Sequence, residues 1–219
     1  MRRGLFITLE GMDGSGKTTQ LNLLTEWLKA SGHKPFVTRQ PGGTALGEKL
    51  RALALDSKTT AIAPLAELAL MFADRAQSIA EIIAPALSEG RVIVCDRYTD
   101  STEAYQGGGR NLGSEIVLDL HRTLCGNLQP DLTILLLPSF DRALGRARLR
   151  NAASIANEQA DEDRFEREQD DFHRRVWQKY KEIAEREQER VFTVEGDAGI
   201  EEVHARIRSK VEALLARTK

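Results

Sequence analysis

Five short apolar runs, at residues 5–9, 35–38, 92–95, 132–137 and 191–194, punctuate a chain otherwise patterned at helical spacing. The runs are of strand length, and between them apolar residues return every three or four positions, as Leu21, Leu24 and Leu28 do after the first run. Strand and helix patterns in alternation predict an α/β fold, a doubly wound five-stranded parallel sheet with helices on both faces. No repeat, low-complexity tract or linker divides the pattern, so residues 1–219 read as a single domain.

Three segments depart from a simple amphipathic pattern. Residues 63–88 read as one helix that is apolar on more than one face, through Leu65, Leu68, Leu70, Met71, Phe72, Ile79, Ile82, Ile83 and Leu87. Such a helix is a central element or sits at a subunit interface. Residues 164–190 read as a second helix with one apolar stripe, at Phe165, Phe172, Val176, Tyr180 and Ile183. Its arginines and lysines are interleaved with acids, which is the pattern of a solvated face and not of a nucleic-acid surface. Residues 151–163 (NAASIANEQADED) are small, polar and acidic with no periodic apolar face, and read as a mobile loop between two helices.

Composition narrows the function classes. With 31 basic and 33 acidic residues the chain has no global attraction to nucleic acid or to a membrane surface. No stretch approaches the ~18 apolar residues of a membrane span. The opening Met1-Arg2-Arg3 is followed by too short an apolar run for a secretory signal, because Glu10 ends it. Cys95 and Cys125 lack metal-ligand spacing and read as buried thiols of a reducing compartment; the expected location is the cytoplasm. His33, His121, His173 and His204 are scattered and are assigned no chemistry.

The chemistry begins after the first run. Gly11-Met12-Asp13-Gly14-Ser15-Gly16-Lys17-Thr18 follows a strand and opens a helix, the context of a phosphate-binding loop. Glycines let the backbone wrap an anion, successive N–H groups point inward, and the helix adds its positive end. Lys17 is expected on the β- and γ-phosphates of ATP, and the Thr18 hydroxyl on Mg²⁺.

A phosphate loop alone leaves kinases, GTPases, motors and ligases open. The chain has no N-K-x-D guanine-reading tetrapeptide, and no strand ends in the Asp-Glu pair of many motor ATPases. The third run ends instead in Asp96-Arg97-Tyr98, at the sheet edge that faces the ligand crevice. Asp96 can place Mg²⁺ or orient an acceptor, and Arg97 can clamp a phosphate bidentately. A structural ion pair capping the strand is the alternative.

The segment Asp96-Arg97-Tyr98-x-x-Ser101-Thr102-x-Ala104-Tyr105-Gln106-Gly107-Gly108-Gly109-Arg110 closely resembles the signature of bacterial thymidylate kinases, of the lid-arginine type. Arg39-Gln40-Pro41-Gly42-Gly43-Thr44 resembles that family's R-E-P-G-G-T loop. Pro130-Asp131-Leu132-Thr133 is similar to the start of its fourth strand, and Asp163-Arg164-Phe165-Glu166 to the helix after its lid. The resemblance runs in order through nearly the whole chain.

It implies a P-loop nucleoside monophosphate kinase that moves the ATP γ-phosphate to dTMP with Mg²⁺, giving dTDP in nucleotide biosynthesis. Arg97 is then expected to hold the acceptor phosphate with help from Arg39. Asp96 would position these groups or the metal, and Asp13 would reach the metal or its waters. Tyr105 would press where a ribose carries its 2′-hydroxyl, and Thr102 and Gln106 would meet the pyrimidine edge. Arg75 would bond a thymine carbonyl, and Phe72 would stack on the base, although the family often carries its aromatic residue at the position of Met71. Gln40 stands where the family has glutamate, and the 151–163 loop is longer than the enterobacterial-type lid.

The family's extra catalytic arginine lies either in the phosphate loop or on a lid. No basic residue lies between Gly11 and Lys17, so the lid, at about 145–166, is expected to supply it from Arg148, with Arg146 and Arg150 next. Their i, i+2, i+4 spacing lets Arg146 and Arg150 share a helix face while Arg148 points elsewhere. A solvated basic helix end is the alternative. The resemblance also implies a homodimer, through the 63–88 helix. Rival functions are a kinase for another nucleotide or nucleoside, and a nucleotide-driven switch or motor.

Overall fold

The computed structural model describes residues 3–56, 59, 62–156, 164–165 and 167–217, with residues 150–156 as backbone only. Five parallel strands form one sheet in the order β2-β3-β1-β4-β5. They are β1 (Leu5–Glu10), β2 (Phe36–Arg39), β3 (Val92–Asp96), β4 (Leu132–Leu137) and β5 (Val191–Glu195), each within a residue or two of its apolar run.

Strand parity sorts the side chains. On one face Leu5, Ile7, Leu9, Leu132, Ile134 and Leu136 pack against Leu21, Leu24 and Leu28 of α1 (Lys17–Ala30) and Ile207 and Val211 of α9 (Ile200–Arg217). Each fully buried leucine there contributes ~2 kcal/mol by area. On the other face Phe6, Ile93 and Cys95 meet Ile83, Leu87 and Tyr98. Farther along that face Leu135 and Leu137 meet Phe172, Val176, Tyr180 and Ile183 of α8 (Asp170–Arg186). The same parity turns Thr8 and Glu10 toward that second face, where both are fully buried.

The chain moves to one side of β1 for β2 and β3, then crosses to the other for β4 and β5. The loops leaving β1 and β3 therefore bound one crevice at the carboxyl edge of the sheet. Helix α2 (Ala45–Leu55) follows β2 and α6 (Ser114–Cys125) precedes β4; Cys95 of β3 and Cys125 of α6 are free and buried, as expected.

Three boundaries differ from the sequence expectation. The 63–88 helix is α3 (Pro64–Ser78), a π-helical turn at Ile79–Ile83, and α4 (Ala84–Ser88). Pro85 cannot donate to the carbonyl four residues back, and the wider turn before it accommodates that loss. The helix expected at 164–190 is α8 alone, Asp170–Arg186, with Asp170 and Asp171 in its first turn where the helix dipole favours acids. Phe165 lies outside it yet still stacks on Phe172, with ring centroids 6.3 Å apart. Residues 151–156, expected in a loop, continue α7 (Phe140–Ala156). Three alanines among those six carry the helix on intrinsic propensity without an apolar face. The rest of that expected loop, 157–163, lies outside the described residues.

Candidate active site

The loop leaving β1 holds its shape through left-handed backbone. Gly11, Gly14 and Gly16 have φ of 136°, 77° and 97°. A Cβ on Gly14 would lie 2.2 Å from the Ala143 carbonyl oxygen of α7, so glycine is required there twice over. Lys17, the first residue of α1, turns its ammonium back into the loop and donates to the carbonyls of Gly11 (3.0 Å) and Met12 (2.8 Å). Burial, then the nearby Arg97, lower its pKa to about 8, against the opposing pull of Asp13 and Asp96. Thr18 is exposed in the first turn of α1.

Arg97 follows β3 with φ 69°, a strained value for a residue with a side chain. That backbone brings the Arg97 side chain onto the 11–18 loop. Its guanidinium donates to Gly11 O (3.1 Å), to Asp13 Oδ1 (2.7 Å) and to Ser101 Oγ (3.0 Å). The Tyr105 hydroxyl donates to Asp13 Oδ2 (2.9 Å), and its ring lies 5.1 Å from the Arg97 guanidinium carbon. Asp13 and Lys17 of the 11–18 loop and Arg97 and Tyr105 of the 96–110 segment, expected at one site from two separate segments, thus form one connected cluster. Asp96 stands beside it with Oδ1 buried and without a hydrogen-bond partner among the described residues.

Glu10 was not among the expected residues. Fully buried at the end of β1, it accepts from Tyr98 N (2.7 Å), Tyr180 Oη (3.1 Å) and the Ser101 hydroxyl, all tied to the turn that presents Arg97. Burial, then the charge of Asp100, push its pKa up to about 7, against the hydrogen bond from Ser101 and the charge of Arg97. The sequence signal for it was slight: an acid on the inward parity of a strand that is otherwise wholly apolar but for one threonine.

A second cluster joins α3 to β2's loop and to the segment after β3, where α5 (Thr99–Thr102) runs into a π-helical stretch at Glu103–Gly109. Arg75, 2% exposed, donates from Nε to Gln40 Oε1 (2.9 Å) and from Nη2 to Thr102 Oγ1 (2.9 Å) and Tyr98 O (3.1 Å). Its Nη1 is buried and has no partner among the described residues. Phe72 is fully buried, packed with Leu68, Val117 and Cys125, with the Arg75 guanidinium carbon 5.0 Å from its ring centroid. Met71 is buried as well. Gln106 reaches Glu67 of α3. Asp74, also missed, accepts from Gly42 N (2.9 Å) and so fixes the loop after β2 to α3; burial pushes its pKa up to about 6.

Other expected residues stand apart from these clusters. Arg39 is the sheet neighbour of Asp96, but its guanidinium is exposed and paired with Glu48 at 2.8 Å. Arg148 is exposed and paired with Asp170 at the start of α8. Arg146 is exposed too, yet its Cβ would be 3.1 Å from a Cβ on Gly14, so it rises directly from the helix face resting on the phosphate loop. The Arg150 side chain lies outside the described residues.

Among the described residues no three acids, histidines or cysteines gather as a metal cage. An ion that arrives on phosphates needs only one or two protein oxygens. The orphaned Asp96 Oδ1 and the exposed Thr18 hydroxyl suit that requirement, whereas both Asp13 oxygens accept from Arg97 or Tyr105.

The chain matches the family model described as thymidylate kinase over residues 9–207. It is 46% identical over 213 residues to a thymidylate kinase of Desulfovibrio desulfuricans, covering 97% of each chain. A thymidylate kinase of Pelobacter propionicus is 44% identical over 208 residues, covering 95% of this chain and 94% of the relative. Among solved structures, thymidylate kinase from Ehrlichia chaffeensis aligns with a TM-score of 0.75 at 29% identity, over 96% of this chain and 99% of that one.

Proposed function

This chain belongs to the thymidylate kinase family, and from that membership and the site we propose a Mg²⁺-dependent reaction, ATP + dTMP → ADP + dTDP, on a single domain. The observation that carries the reading is the contact of Arg97 with the phosphate loop at Gly11 and Asp13. A cation for the acceptor phosphate thereby adjoins the loop for the donor phosphates, as in-line transfer requires.

The loop 11–18 cradles ATP, and Lys17 exchanges the Gly11 and Met12 carbonyls for the β- and γ-phosphates. Arg97 holds the dTMP phosphate, and Arg39 joins it by leaving Glu48. Tyr105, held by Asp13, occupies the space a 2′-hydroxyl would need. Arg75 offers its unpartnered Nη1 to a pyrimidine carbonyl, Thr102 and Gln106 meet the base edge, and Phe72 stacks on the base once the Arg75 guanidinium swings off its ring toward that carbonyl. Asp96 and Thr18 would hold Mg²⁺, with Asp13 reaching its waters; when bound, the ion neutralises charge on the transferring phosphates. Arg148 would serve as the lid cation by leaving Asp170, with Arg146, which rises beside Gly14, and Arg150 next. No side chain becomes phosphorylated; alignment and charge neutralisation supply the rate.

We place the protein in the cytoplasm, consistent with its two free buried thiols, and as a homodimer through the 63–88 helices, where Leu65 is 58% exposed. No helix among the described residues is long and apolar enough to cross a membrane, and the net charge of −2 gives no pull toward nucleic acid. A panel of nucleoside monophosphates with ATP and Mg²⁺ tests the function. dTMP should be the preferred acceptor, with little ATP hydrolysis in its absence; acceptor-independent hydrolysis would instead indicate a switch or motor.

A further inference from the structure

Glu67 has no part in the reaction as described, yet it is fully buried and four hydrogen bonds converge on it besides that from Gln106. Arg110 donates three of them, at 3.1–3.2 Å, and Arg164 the fourth. Two guanidiniums leave the carboxylate acting purely as an acceptor. The fifth hydrogen bond comes from the Gln106 amide, Nε2 to Glu67 Oε1 at 2.9 Å. Because a carboxylate can only accept here, the Gln106 NH₂ must face Glu67 and its Oε1 must face the other way. Gln106 is itself only 2% exposed, and Oε1 takes no hydrogen bond from the described residues.

The direction of that amide has a chemical consequence. Glu67 and Arg75 lie about two turns apart on α3. Their partners Gln106 and Thr102 lie one turn apart on the facing segment, so the two contacts run as antiparallel rungs between the two segments. One rung carries a free donor, Arg75 Nη1, and the other a free acceptor, Gln106 Oε1. Thymine presents the complement, an O4 acceptor beside an N3–H donor. Cytosine presents the reverse, an N4 donor beside an unprotonated N3.

We propose that Glu67 is a specificity-determining positioning residue: by fixing the Gln106 amide with its oxygen outward, it makes the acceptor site select thymine over cytosine. This rests on the proposed reading of Gln106 at the pyrimidine edge. A glutamine side chain free to turn over would offer its NH₂ and accommodate either base. A buried site built for one hydrogen-bonding pattern rejects the reverse pattern strongly, because its own groups are left unpaired.

The test is the ratio of kcat/KM for dTMP to that for dCMP, each pair measured in one preparation so that any unfolded fraction cancels. Glu67→Gln can donate as well as accept, so it releases the amide, and the ratio should narrow by about 10–100-fold. Glu67→Asp keeps the charge facing Arg110 and Arg164 while drawing the carboxylate back from Gln106. It should narrow the ratio in the same direction, and it guards against a Glu67→Gln protein that does not fold. In a Gln106→Leu background, Glu67→Gln should leave the ratio where Gln106→Leu alone puts it. An unchanged ratio in a folded Glu67 variant, with Gln106→Leu narrowing it, overturns the proposal and leaves the role of Gln106 standing. An unchanged ratio in Gln106→Leu itself overturns the reading of Gln106, and the proposal with it.

Discussion

The floor of the site and the helix above it are built on opposite principles. On the floor, Lys17, Arg97, Asp13, Tyr105, Glu10 and Ser101 are tied to one another by buried or part-buried hydrogen bonds, and Arg97 is held at φ 69° against its own backbone preference. On α7, one face is packed as far as Ala147, with Phe140, Ala143, Leu144 and Ala147 all buried. From Arg148 onward the described side chains turn outward: Leu149 is 75% exposed, and Arg148 has only a surface pair with Asp170. A pair like that contributes ~0.2–1 kcal/mol and exchanges readily with another anion. On the proposed assignment of roles, groups that bind in a set geometry are locked in advance, and groups needed only as charge develops are held loosely.

The largest expected effect lies at the lid. Single Arg→Ala changes at 146, 148 and 150 should give one loss of kcat of ~10³-fold or more, with the KM for dTMP little altered. Three small effects would reduce these arginines to a solvated helix end. On the floor the pattern should invert. Arg97→Ala should raise the KM for dTMP by ~10–100-fold, the scale of a lost charged hydrogen bond, while ATP affinity measured by calorimetry stays within a few-fold. Lost ATP binding with unchanged dTMP dependence would remove Arg97 from the acceptor side.

The smallest effect is one of pH. The Lys17 pKa is lowered to about 8 by burial first, and phosphate oxygens favour its charged form. ATP binding above pH 8 should therefore take up a proton, and affinity should weaken about fivefold between pH 8 and 9. The sign for folding is the reverse: between the folded value and the ordinary one near 10.5 the unfolded chain binds more protons, so this group makes stability rise with pH there. Calorimetry in buffers of different ionisation enthalpy measures the uptake, and none at pH 8.5 would mean that Lys17 is already charged in the free enzyme.

What could be read from the sequence was what it states locally. The five strands, the loop 11–18 and the run from Asp96 to Arg110 each declare themselves within some fifteen residues, through periodicity or spacing. Glu10 and Glu67 did not, because their meaning lies in partners up to 170 and 97 residues away. Within their own segments one looks like the end of a strand and the other like a polar position on a helix. The helical continuation at 151–156 was missed for a related reason: no apolar stripe marks it, and alanine propensity alone carries it past the packed part of α7.

Amide hydrogen exchange, compared between the free enzyme and its complex with ADP and dTMP, tests the division between floor and lid most directly. Amides of 92–109 should be protected to nearly the same degree in both states, because their order is built by Glu10, Ser101, Glu67 and Arg75 before any ligand arrives. Amides of 148–156 should exchange quickly in the free enzyme and slow markedly in the complex. The account is contradicted if the floor gains as much protection as the lid, or if 148–156 is unchanged by both ligands together.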